Sequence, residues 1–493
     1  MASTPSPQSA DPIAALARGG RLNFLGFLLR LLARLPFLFI AGQLYGAATL
    51  GRFAYAILVV ELTAQLSTLG LKRGISIALA KTDRPHSHVI WDALVLGWAL
   101  AAVGAGLLAT FPRVVFPNSF VTGLDQMFPV TALAIVGSDI ALAALAYNHK
   151  IGAQVRARSV IEPWVLTIVA TILAFTIFKR DGLIIAYAAS MIAAFVASII
   201  PCIREFGLPR GWVPHPERLF TLARENIALA GADAIEWATR RLDLFILGIF
   251  AAPSVMGVYY VAQQVASLPQ KLKTSFDPVL GPLLSNSLVA GDRIAMAGHV
   301  RQVGFWIIAA QLCVALALGL PGEAVLSLVG TEFAGGQTVL AVLLAVEALA
   351  ATAAVSEAAL VYTSPQRNLM LSIVTIAAQA VLTVLLVHFW IDAGINAGVG
   401  AALGLALALS LGSVLKARLL ARELGAPVTG LRWALFPATI GAAAVGLLVR
   451  GLPDWAQIAV GIPAIILTFG AIMWKWGFRP DDRILFRKQP SPT

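Results

Sequence analysis

Asp233, Glu236, Arg240, Arg241, Asp243, Lys271, Lys273 and Asp277 all fall within one apolar stretch, Arg224 to Ser285, that is long enough to cross a bilayer twice. An Arg, Lys or Asp at the centre of a membrane helix costs about 2.5 to 3.5 kcal/mol on insertion scales. Such a set is tolerable only if its members face water or one another. At 100° per residue, Asp233, Glu236, Arg240 and Asp243 share an arc of about 80°. Arg30 and Arg34, four residues apart in the first apolar run, also share a face, and no acid on that run neutralises them. Two guanidiniums on one face suit a phosphate, whose oxygens they bind in a bidentate fork. Gln264 and Lys271 fall on one stripe of the later hairpin. The intramembrane acids Glu61 and Glu347, nearest mid-span, are candidates to carry a coupling proton or cation. Asp233, Glu236 and Asp243 fit that role, or that of ion-pair partners for Arg240, equally well. Asp139, Glu357 and His388 are weaker candidates.

The elements that must position these residues are helices in a membrane. The chain has 493 residues, 59% hydrophobic and 12% charged, against about 25% charged in a soluble globular protein. Its mean hydropathy is +0.83. The apolar runs have helical length and lack the alternation of a membrane β-barrel. Fourteen runs qualify as spans, from 22–46 to 455–476, giving an all-α polytopic architecture. The Pro- and Ser-rich start lacks the features of a removable signal peptide, so the first run is expected to remain as a span.

Counting by loops, 25 of the 36 Lys and Arg, with Lys72, Arg158 and Lys416 among them, fall on the side of the N-terminus, 5 on the other, and 6 within spans. This bias places both termini in the cytoplasm. The net charge of +11 is therefore read as membrane orientation, not nucleic-acid binding. Expected boundaries are a cytoplasmic tail at 1–21, an N-lobe of six helices at 22–203 and a cytoplasmic connector at 204–223. A C-lobe of six helices follows at 224–421, then two further helices at 422–476 and a cytoplasmic tail at 477–493. An internal repeat supports the two-lobe division. Arg34 opens RLPFLFIAGQLYGAATLGRFAYA and Arg241 opens RLDLFILGIFAAPSVMGVYYVA, each with a Gly and aromatics after a small-residue turn. The polar stripes of the two halves suit a central cavity between the lobes.

No phosphate-binding GxxxxGK[ST] loop, GxSxG or HExxH motif occurs. The chain is expected to be neither an ATP-driven motor nor an enzyme, and to need no cofactor. Cys202 and Cys313 stand singly and suggest neither a disulfide framework nor a metal site.

With fourteen short-looped spans and the hairpin RLDLFILGIF…VMGVYYVAQQVASLPQKL, the sequence resembles the oligosaccharidyl-lipid flippases of the multidrug/oligosaccharidyl-lipid/polysaccharide superfamily. The Wzx-like O-antigen and exopolysaccharide branch is the nearest. The resemblance implies that an undecaprenyl-pyrophosphate-linked oligosaccharide crosses the bacterial inner membrane by alternating access, for lipopolysaccharide or exopolysaccharide synthesis. It implies that Arg30, Arg34, Arg240, Arg241 and Lys271 hold the pyrophosphate, with Gln264 in the same cavity. It also implies contact with the polysaccharide polymerase and chain-length machinery. A lipid II flippase and a cation-coupled multidrug exporter are alternatives within the superfamily.

Overall fold

The computed structural model describes residues 36–121, 123–274, 281, 284–285, 287–479 and 482; side chains at 270–274 and 352–354 are outside that description. Every regular element among the described residues is helical. Backbone amides in hydrocarbon must be satisfied within their own segment, which a helix alone achieves without closing a barrel.

The chain divides into two units, Met1–Trp237 and Ala238–Thr493. Unit 1 begins with α1 (36–45), whose last turn is a π-helix, and α2 (Gly46–Ser67). Leu69 and Gly70 then take left-handed conformations before α3 (Leu71–Lys81). α4 (His86–Thr110), α5 (Thr131–Tyr147), α6 (Ile151–Ala174) and α7 (Gly182–Phe206) complete the bundle. α8 (Pro216–Phe250) is one 35-residue helix that runs across the boundary.

In unit 2, α9 (Pro253–Thr274), α10 (Arg293–Gly319), α11 (Gln337–Thr363), α12 (Pro365–Asp392) and α13 (Ala397–Leu424) precede α14 (Leu435–Val449) and α15 (Asp454–Gly477).

Among the described residues, ten helical runs are long and apolar enough to cross a membrane. Four of the fourteen expected spans are not among them as separate crossings, each for its own reason. The run 22–46 lies mostly outside the described residues, and its end is continuous with α2. α8 and α9 carry too much charge and polarity to qualify on hydropathy. At 15 residues, α14 is about 22 Å long, short of the roughly 30 Å hydrocarbon core.

The core of unit 1 contains an aromatic chain. Phe53 lies between Phe37 and Tyr187, at ring separations of 5.9 and 6.0 Å, and Tyr187 continues to Phe128 at 5.8 Å. Arg52 stacks on Phe116 and pairs with Asp125 and Asp181, fastening the loops before α5 and α7 to the start of α2.

In unit 2, Phe305, Ile308, Leu420, Ile465, Phe469 and Met473 knit α10, α13 and α15 into one apolar cluster. Beyond α15, buried Asp482 accepts hydrogen bonds from Gln302, Trp306, Arg432 and the Arg479 amide. Arg432 lies 3.7 Å over the Phe305 ring. Residue 482 is thereby pinned to α10.

Candidate functional site

Arg30 and Arg34 lie outside the described residues, as does the side chain of Lys271 in α9. On α8, Arg240 is exposed and Arg241 half-buried. Gln264 is half-buried on α9, and its carbonyl accepts from Ser267 at 2.7 Å. Glu61 on α2 and Glu347 on α11 are half-buried.

The acids that share an arc of α8 turn to different partners. Arg73 of α3 holds both Asp233, at 3.2 Å, and Glu236, at 2.9 Å. Two glycines allow α3 to approach so closely. A Cβ at Gly74 would sit 1.5 Å from Asn226 Oδ1, and one at Gly70 would meet the Ala230 amide nitrogen at 2.6 Å. Gly70 also has φ +71°, which L side chains rarely adopt.

Asp243 instead turns toward α9. It is fully buried, accepts from Tyr259 Oη at 2.5 Å and from Gln263 Nε2 at 3.3 Å, and its Oδ1 has no partner among the described residues. Of the two groups, the buried Asp243–Tyr259 pair is suited to a proton or small cation. The Arg73 clamp is suited to holding α3 on α8.

Three further charged residues, assigned by sequence to cytoplasmic loops, lie inside helices. Lys72 and Arg158 converge on Asp139, with the lysine at 2.8 Å, and Arg158 also pairs with Glu162 at 2.8 Å. Lys72 further donates to Gln65 at 2.7 Å. The group therefore balances two cations with two carboxylates inside unit 1. Arg158 projects from a π-helical segment, Val155–Ile161, which shifts its register on α6. In unit 2, Lys416 of α13 reaches Glu357 of α11 at 3.1 Å and Ser372 of α12 at 3.0 Å. The i, i+4 spacing of Arg158 and Glu162 was visible in sequence; the convergence on Asp139 was not.

The described residues thus form helical bundles of a polytopic membrane protein with ionised groups distributed along their helices, and sequence comparison supplies the family. The chain belongs to the polysaccharide biosynthesis protein family, whose model matches residues 43–303. A comparison with curated proteins found no match. The fold is shared with the lipid II flippase MurJ in an inward closed conformation, at 12% identity and TM-score 0.70, covering 96% of this chain and 100% of that one. It is shared too with an inward-facing multidrug resistance MATE family transporter of the MOP superfamily, at 13% identity and TM-score 0.66, covering 80% and 94%. A MOP superfamily transporter from Pyrococcus furiosus matches at 14% identity and TM-score 0.54, covering 86% and 99%.

Proposed function

We propose that the protein is a flippase that carries an undecaprenyl-pyrophosphate-linked oligosaccharide repeat unit across the bacterial cytoplasmic membrane, by alternating access, for cell-surface polysaccharide synthesis. Both termini lie in the cytoplasm on this reading. The observation that carries it is the open charged face of α8. Glu236 and its partner Arg73 remain 53% and 54% exposed, and Arg240 is exposed one turn further on. Hydrocarbon does not accommodate ionised groups so exposed, so this face lines water. Family membership supplies the pathway, and the shared fold is one that other proteins use for lipid and drug transport.

Arg30, Arg34, Arg240, Arg241 and Lys271 then hold the pyrophosphate, while Gln264 offers its amide to a sugar hydroxyl. Asp243, buried against Tyr259, is the first candidate for ion coupling, ahead of Glu61 and Glu347. Export of an anion from a cell that is negative inside gains about 2.3 kcal/mol per charge per 100 mV, so the potential contributes to the work. The fold match along the full length of MurJ favours lipid II as the second substrate to try.

The test is transfer of a fluorescent polyprenyl-pyrophosphate glycan across liposomes containing the purified protein. The wild type is expected to flip it, and Arg34→Ala and Arg240→Ala to reduce the rate at least tenfold with normal insertion. Full activity in both variants would sink the cationic site. Preference for lipid II would transfer the reading to that substrate.

A further inference from the structure

The least satisfied polar groups in unit 2 lie on α12, away from the residues assigned above. Thr375, Gln379 and Thr383 recur every four residues, so they share one face of the helix, and all three are buried. The opposing face of α13 carries Gly412, Ala408 and Gly404. A Cβ at Gly412 would sit 2.7 Å from Thr375 Oγ1, and one at Gly404 would sit 2.6 Å from Thr383 Oγ1. These two contacts fix an antiparallel register that sets Gln379 beside Ala408. Thr375 donates to its own helix, to the Leu371 carbonyl at 2.8 Å. Neither Nε2 nor Oε1 of Gln379, nor Oγ1 of Thr383, has a partner among the described residues, and both side chains are fully buried.

The polar line does not end there. One turn before Thr375, Ser372 accepts from Lys416, which is 8% exposed, and Lys416 pairs with Glu357, which is 46% exposed. The seam therefore runs from a reachable carboxylate into the helix bundle.

A buried amide and hydroxyl without partners are unfavourable, and apolar groups of the same shape would pack there at no such cost. Gln379 and Thr383 together present three N–H or O–H donors and two acceptor oxygens in one place, enough for the two to four hydrogen bonds an internal water makes.

We propose that the seam between α12 and α13 is a hydration site, in which Gln379 and Thr383 bind ordered water continuous with the Glu357–Lys416 pair. Helices bridged by exchangeable water re-register more readily than helices joined by apolar packing. The seam is then where unit 2 repacks during transport, a step that rests on the flippase reading above.

The experiment is X-ray hydroxyl-radical footprinting of the full-length protein in nanodiscs, in ¹⁸O-labelled water, read by mass spectrometry. Oxidation at the buried seam positions Thr375, Gln379, Thr383 and Val387 should exceed that at the equally buried apolar residues Val303, Ile307 and Ile308 at least threefold. In Gln379→Leu/Thr383→Val it should fall to the level of that control. Wild-type labelling no higher than the control overturns the proposal without need of a variant. So does a Tm raised by the double substitution with labelling unchanged, the behaviour of a dry seam. Stabilisation of the wild type, but not the variant, by NaCl over choline chloride would assign the site to a cation and overturn it as well. Labelling as expected in a protein that flips no lipid would leave the hydration site standing and remove only its role in transport.

Discussion

Asp482 shows how much one carboxylate can organise. Burial alone would raise its pKa, but hydrogen bonds from Arg432, the Arg479 amide and Gln302 override this and hold the carboxyl below its ordinary value of 3.8. Because the folded-state pKa is the lower one, the stabilisation is complete at neutral pH and is lost as pH falls through the acid range below about 4. Asp482→Asn is expected to lower Tm by several degrees at pH 7, since it leaves the half-buried Arg432 without its anion. The gap to the wild type should close on acidification. A gap that is constant with pH would show that the charge plays no part.

A second residue-scale expectation concerns Asp233, buried beneath half-exposed Arg73. Arg73→Ala should destabilise by about 1 kcal/mol, the low end of the cost of leaving a buried acceptor unsatisfied, because half-exposed Arg73 is screened by solvent. Arg73→Ala/Asp233→Asn should recover part of that loss. Additive losses in the cycle would deny the pairing.

At the scale of the element, the approach of α3 to α8 depends on what Gly74 lacks. Gly74→Ala places a methyl on Asn226 Oδ1, and Asn226 is held in place by its own bond to the Leu222 carbonyl at 2.8 Å. The variant should express poorly or melt several degrees lower, and Asn226→Ala in the same chain should restore it by vacating the space. Failure of that rescue, with each single variant well tolerated, would mean that α3 is free to shift along α8. The helices themselves were legible as apolar runs of spanning length. Their ends were less so: α8 begins at Pro216, inside the segment read as connector. Its first turns are amphipathic rather than uniformly apolar, so hydropathy alone does not register them.

For the molecule as a whole, the loop charges make a prediction about sidedness that cysteine labelling can read. In a Cys202→Ser/Cys313→Ser background, Arg210→Cys should resist a membrane-impermeant maleimide in intact cells, and Lys179→Cys should react. Both positions are exposed. The reverse pattern would invert the topology and with it the direction of transport.

What the amino-acid sequence determined by itself is the solvent and the periodicity. So few charges and so many apolar runs of about 20 residues require helices in lipid, and a charge in such a run requires water or a partner. What only the tertiary structure decided is which partner. Lys72, Arg158 and Lys416 count as loop cations in the sequence, yet they close on Asp139 and Glu357 within the helix bundles. Asp233 and Asp243 share a helical face, yet one goes to α3 and the other to α9. Periodicity gives the direction in which a side chain leaves its own helix. The identity of the helix it meets depends on packing contacts between residues that are distant in sequence, where a Gly at position 74 or 404 decides how near two backbones come.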